Sequence, residues 1–276
     1  KAFGDKRKSM WFCRIKGNPP AIRGENVKAL EDDRDGSSGK KGSGVLCVDG
    51  TIYLWVRNAD RKGNMSQLAW SDDHGENWTW SDWKFEQFGY PRFIHFGKNY
   101  RGSRDKYVYT VTPDDKSAYS ETNKDMILLR VPKHRITDKN AYQCFTGFEG
   151  EMPTWSGNMD EREPIFTYQG TPYNTGRTGI SYNSGIGRYL WWQIFEEEDV
   201  DERQKGGFAI YEALEPWGPW RTVYLTRDWD VGPGETGSIP TKWISEDGRT
   251  CYLVFSGNDC LSVRKFSLKI DEDEMK

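Results

Sequence analysis

Residues 44–58 (GVLCVDGTIYLWVRN) read as two short apolar runs, rich in β-branched and aromatic residues, that fold back on each other at Asp49-Gly50. An Asp-Gly pair between such runs is a strong short-range signal for a β-hairpin, because the favoured turn needs positive φ at both central positions. What constrains the fold is recurrence. The same arrangement returns at residues 92–97 (RFIHFG) with 105–111 (DKYVYTV), at 179–183 (GISYN) with 188–194 (RYLWWQI), and at 241–245 (TKWIS) with 249–255 (RTCYLVF). A second unit, a strand opening on a small or polar residue and followed by a turn and another strand, starts at residues 9–15, 66–70, 125–131, 207–211 and 261–268. Recurring supersecondary units of this kind mark propellers and other arrays. The pattern predicts an all-β chain: a five-bladed β-propeller of four-stranded blades, residues 1–276 in one domain, with the first blade truncated at the N-terminus.

Length suits this reading, since a single all-β domain reaches 276 residues without splitting. A net charge of −3 and a pI near 5.8 argue against a nucleic-acid binder, whose footprint is a strongly basic face. No run approaches the roughly 18 apolar residues of a membrane helix. The five cysteines show neither a CxxC pair nor His-paired zinc spacing; no metal and no other cofactor is expected. Aromatic residues make up 14% of the chain, which suits both packing between blades and stacking on sugars.

Residues 71–78 (SDDHGENW) match the Asp-box of sialidases and related propellers, Ser/Thr-x-Asp-x-Gly-x-x-Trp, at every fixed position. The physical reason is local: Asp73 can hold the amides of a tight turn, Gly75 supplies positive φ and Trp78 plugs the blade. Asp73 is therefore read as a turn former. Further runs carry a wider resemblance: residues 96–100 with 104–109, 130–133, 153–156, 181–183 with 187–190, 216–220, and 242–248 with 255–259. Together they resemble the DUF4185 family, domains of unknown function whose characterised members include bacterial endo-D-arabinanases. The resemblance implies a five-bladed propeller engaged in polysaccharide breakdown, in a secreted or periplasmic setting.

In a propeller the innermost strands line a central channel, and loops at one end of it carry the site. Residues just before each inner hairpin and just after it share that end. The first ring offers Lys41 and Ser43, Tyr90 and Arg92, Arg177 and Thr178, and Ser238 and Lys242; the second offers Asp5, Arg57 and Asn58, Asp114 and Asp115 with Tyr119, Gln193 and Glu196, and Asn258 and Asp259. Turn carboxylates such as Asp105 fall at the opposite end, where Asp105, beside Arg104, is expected to make a structural ion pair.

Glycoside hydrolysis normally needs two carboxyl groups, one protonating the leaving oxygen and one acting as nucleophile or base. Ring closure makes the first and last blades neighbours, so Asp5 and Asp259 are the expected catalytic pair. Arg57, Arg92 and Arg177 are expected to bind hydroxyls or acidic sugars, with Asn58, Tyr119, Gln193 and Asn258 beside them. Trp192 is either a sugar platform or core. The expected partner is a polysaccharide or oligosaccharide, bound by a monomer. Two rival classes remain open: a non-catalytic carbohydrate-binding propeller, and a polysaccharide lyase using Tyr90 or His95 as base beside cations that neutralise a uronate.

Overall fold

The computed structural model describes residues 10–27, 39–119, 123–168, 177–195 and 205–270. Among them the chain is all-β, its other regular pieces being single 3-10 turns. Two strands, β1 (Cys13–Lys16) and β2 (Arg23–Asn26), form a first antiparallel pair. A four-stranded antiparallel sheet follows in simple order: β3 (Lys41–Val48), β4 (Thr51–Arg57), β5 (Ser66–Ser71) and β6 (Thr79–Phe85). The third group is β7 (Arg92–His95), β8 (Tyr107–Pro113), β9 (Asp125–Pro132), β10 (Gln143–Glu149) and β11 (Met152–Ser156), with β12 (Pro164–Thr167) added against β9. A fourth group holds β13 (Thr178–Asn183), β14 (Arg188–Phe195), β15 (Gly207–Ala213) and β16 (Arg221–Thr226), and the last has β17 (Gly237–Ser238), β18 (Thr250–Phe255) and β19 (Ser262–Ser267).

Each group touches the next. Phe12 stacks on Trp78 at 5.0 Å, joining the first pair to the β3–β6 sheet. The inner strands β3 and β7 come so close that a Cβ on Gly44 would lie 2.9 Å from the Arg92 Cα, which only glycine avoids. Strand β7 runs parallel to β13, pairing Ile94 with Ile180 and His95 with Ser181. Gly179 meets the Gly237 carbonyl in the same crowded way. The circle closes where Lys242 Nζ donates to the Ile15 carbonyl at 2.8 Å and Trp243 Nε1 to that of Gly17 at 3.1 Å.

Three of the four inner hairpins fold as their sequences predict. At the first, Asp49 and Gly50 take φ of 48° and 96°, and Val45 faces Leu54 across the ladder. The fourth differs. Residues 241–245 do not form a strand: Thr241–Trp243 is a 3-10 turn, and the inner strand is the two-residue β17, paired Gly237 to Phe255 and Ser238 to Val254. Pro240 has no N–H to give a ladder, and its carbonyl accepts the Trp243 amide at 3.0 Å instead. The apolar side chain of Trp243 that suggested a strand is buried by the turn after β1. Asp105 also differs from expectation. It accepts hydrogen bonds from the Tyr107 amide at 2.8 Å and the Tyr109 hydroxyl at 2.6 Å, while Arg104 forms its bidentate pair with Glu215, both contacts 2.9 Å.

Residues 71–78 connect β5 to β6 at the outer side of their sheet. Asp73 accepts from the Asn77 amide at 2.9 Å, the Asn77 side chain at 2.6 Å and the Ser71 hydroxyl at 2.8 Å, and these bonds hold its carboxyl down at about 2. A carboxylate depressed in the folded state stabilises it above the ordinary pKa of 3.8, and that contribution disappears as pH falls through the folded value. Asp73→Asn is therefore expected to lower the urea midpoint at neutral pH, with the gap to the parent closing between about pH 4 and 2. A gap of constant size across that range would refute the carboxylate's part in it.

Candidate functional site

The inner strands β3, β7, β13 and β17 bound a cavity of about 440 Å³ in which Ser43, Arg92, His95, Thr178 and Ser238 meet Asp259 from the turn after β18. A second cavity of about 440 Å³ adjoins it, sharing Ser43, Gly44, Val45, Arg92 and Thr236 and adding Lys41, Arg57, Tyr90 and Glu235. A bulge in the β3–β4 register between Gly42 and Gly44 leaves Ser43 out of the ladder. Its hydroxyl turns to the carbonyls of Pro91 at 2.8 Å and Trp55 at 3.2 Å, fixing the rim between the two cavities.

Basic residues gather at this rim because of where they stand in their strands. Lys41 opens β3 and faces Arg57 at the end of β4; Arg92 opens β7; Arg177 directly precedes β13. The Arg57 guanidinium lies 4.4 Å from the centre of the Tyr90 ring and 5.6 Å from that of Tyr119, and its Nη1 donates to the Ala118 carbonyl at 2.6 Å. Arg92 stands 5.2 Å from the Tyr90 ring centre, with Nη2 3.4 Å from the phenol oxygen. The Nε–H groups of Arg57 and Arg92 are both buried and meet no acceptor.

These charges act on one another. Burial pushes the Tyr90 phenol up, but Arg57, Arg92 and Arg177 together outweigh it and bring it down to about 8. Burial, then the Arg92 charge, lowers His95 to about 4, so its imidazole is neutral at neutral pH. Lys41 is lowered by burial and by Arg57, against the opposing charge of Glu235. A tyrosinate absorbance titration should show one phenol ionising near pH 8, absent in Tyr90→Phe and displaced upward in Arg92→Gln. Ionisation of all tyrosines at or above the ordinary value of 10 would contradict this electrostatic picture.

Of the residues singled out from sequence, Arg57 and Arg92 line the cavities, the charge of Arg177 reaches Tyr90, and Tyr119 flanks Arg57. Asp259 lines the first cavity and is exposed there; Asn258 beside it accepts from the Gly232 amide at 3.1 Å. Asn58 and Gln193 line neither cavity. Asn58 is buried, donating to the Gly39 carbonyl at 2.8 Å and accepting from the Gly63 amide at 2.7 Å, and Gln193 is buried against Trp191 Nε1 at 3.3 Å. Asp5 and Glu196 lie outside the described residues. Asp114 is held by Arg162 at 2.7 Å, Asp115 accepts from the Ser117 amide at 2.8 Å, and Lys242 is spent on β1. Trp192 is fully buried and packs on Phe208, in the core. Sequence reasoning missed Glu235; the Gly-Pro-Gly run at 232–234 ahead of a two-residue strand was its one signal, too short for any periodicity. Among the described residues no three His, Cys, Asp or Glu side chains gather to hold a metal ion, and no helix is long and apolar enough to cross a membrane.

No family model matches the chain, so the likeness to DUF4185 rests on the runs quoted above, and no curated protein matches it either. Solved structures do. A GH43_1 enzyme from Xanthomonas citri aligns over 96% of this chain and 80% of its own at 12% identity, with a TM-score of 0.52. The RS223 β-xylosidase aligns over 96% and 82% at 12% identity with a TM-score of 0.51. The Trypanosoma rangeli sialidase, in complex with the inhibitor DANA, aligns over 92% of this chain and 37% of its own at 11% identity, also with a TM-score of 0.51. At such identities the likeness is one of fold, and the fold this chain shares with these enzymes is the β-propeller.

Proposed function

We propose that the chain is a five-bladed β-propeller acting on a polysaccharide as a glycoside hydrolase, with its site at the rim shared by the two channel cavities. Each of the five strand groups is one blade in this reading, β1 and β2 being the outer part of the first. One observation carries the functional reading: polar and charged side chains line two adjoining cavities large enough for sugar units, with Asp259 in the first and the Arg57–Tyr90–Arg92 cluster in the second. That the fold is shared with GH43 enzymes and a sialidase supports it. Asp259 is proposed as one carboxylate of the pair and Asp5 as the other, one protonating the glycosidic oxygen as it leaves and the other attacking the anomeric carbon or activating water.

Tyr90 favours a second reading. A phenol brought down to about 8 beside two arginines is suited to take the proton next to a uronate carboxylate, the step that starts elimination. Incubation with a panel of plant, algal and bacterial-wall polysaccharides separates the possibilities. Reducing ends released without unsaturated-uronate absorbance support hydrolysis. Reducing ends accompanied by that absorbance support the lyase. Saturable binding with neither product leaves a carbohydrate-binding propeller.

A further inference from the structure

We propose that the basic end of the channel is a subsite for a carboxylated sugar, a hexuronate unit of the polysaccharide, held by Arg57 and Arg92 with Lys41 beside them. The proposal rests on the channel being the glycan site. Its ground is an imbalance of charge among residues that line the second cavity. Arg57 is only 8% exposed, and its Nε–H and that of Arg92 are buried without an acceptor. Among the described residues neither arginine forms an ion pair. A guanidinium taken out of water without a counter-ion is unfavourable, and here the neighbouring charges are of the same sign. Tyr90, which both guanidinium groups face, is a neutral phenol at neutral pH. Glu235 sits exposed at the rim and its charge bears on Lys41.

A ligand that carries its own anion resolves this imbalance. The Arg57 and Arg92 guanidinium groups both line this cavity, each with an N–H left unpaired, and the two oxygens of a carboxylate can accept one charge-assisted bond from each group. A neutral sugar would leave both donors facing hydroxyls and the cationic charge uncompensated. The recognised group is therefore the carboxylate, with the sugar ring lying in the cavity alongside Ser43 and Thr236.

Titration calorimetry on the whole chain tests this with glucuronate and galacturonate oligosaccharides, their neutral glucose and galactose counterparts, and a sulfated galactan oligosaccharide. A uronate oligosaccharide should bind at least about tenfold more tightly than its neutral counterpart, and the preference should shrink as salt is raised. Arg92→Gln should weaken uronate binding about ten- to hundredfold and leave neutral binding nearly unchanged. Arg57→Gln should do the same, and gives a second test if one variant fails to fold. Equal affinity for charged and neutral oligosaccharides, binding of the sulfated probe in place of the uronates, or no binding of either class would each overturn the assignment. Uronate preference without release of reducing ends would sink the hydrolase reading alone. Hydrolysis of a neutral glycan with no uronate preference would sink the subsite alone.

Discussion

Asp259→Asn is expected to lower turnover of the responsive polysaccharide by about two to four orders of magnitude, the usual contribution of a positioned proton donor or acceptor. The substitution is a clean one. Asn258 and Asp259 both hold left-handed backbone, with φ of 49° and 61°, a conformation that costs most residues of order 1 kcal/mol and that Asn and Asp tolerate best. Asn at position 259 keeps that backbone and removes only the ionisable oxygen. Asp5→Asn should produce a loss of similar size if the two act as a pair. Full activity in Asp259→Asn would remove this residue and pass the role to Glu235, the carboxylate that lines the neighbouring cavity. Circular dichroism of the variant should match the parent, since Asn keeps the left-handed backbone at this exposed position.

Trp55→Ala should destabilise the fold by about 3–5 kcal/mol, the range for losing a large aromatic from a core. Trp55 has no exposed surface, and its ring meets Phe93 at 5.9 Å, Phe85 at 5.5 Å, Trp83 at 6.0 Å and Tyr142 at 6.0 Å, measured between centroids. Its Nε1 donates to the Thr110 hydroxyl at 3.3 Å. One indole thus binds together residues of two strand groups, so the cavity it leaves cannot be closed by moving one sheet alone. The melting temperature is expected to fall on the order of 10 °C, and Trp55→Phe should recover much of it. A fall of only about one degree would show that the groups are held together elsewhere.

Much of the architecture can be read from the chain because its signals are local. The turn at Asp49-Gly50 and the alternating runs on either side of residues 184–187 mark their hairpins without reference to anything distant. The rim arginines were legible for a related reason: Arg57 closes β4, Arg92 opens β7 and Arg177 precedes β13, so the recurring hairpins place all three at the same end. Where local and long-range signals conflict, sequence reasoning fails. Trp243 looks like a strand residue because it is apolar, yet Pro240 denies it a ladder and the turn after β1, more than two hundred residues earlier, buries it. Strand β17 has no side-chain pattern at all, and with it Glu235 escaped notice. Asn58 and Gln193 sit where a binding residue would, but their amides are committed to the Gly39 carbonyl and Gly63 amide and to Trp191, partners that no spacing reveals.

The parallel pairing of β7 with β13 makes the channel wall unequal around its circumference. Two strand groups are stitched through backbone hydrogen bonds at Ile94, His95, Ile180 and Ser181 into one continuous ten-stranded sheet. Among the described residues the neighbouring seams, β3 against β7 and β13 against β17, have no such ladder; they pack closely at Gly44 and Gly179, and the first is also held by Ser43 on the Pro91 carbonyl and by Trp55 on Thr110. The ring is thus joined by a backbone ladder at one seam and by packing and side-chain bonds at the others, such as Lys242 on the Ile15 carbonyl where the circle closes. Amide exchange should accordingly be slowest at the stitched seam, and faster where β3 meets β7 without a ladder.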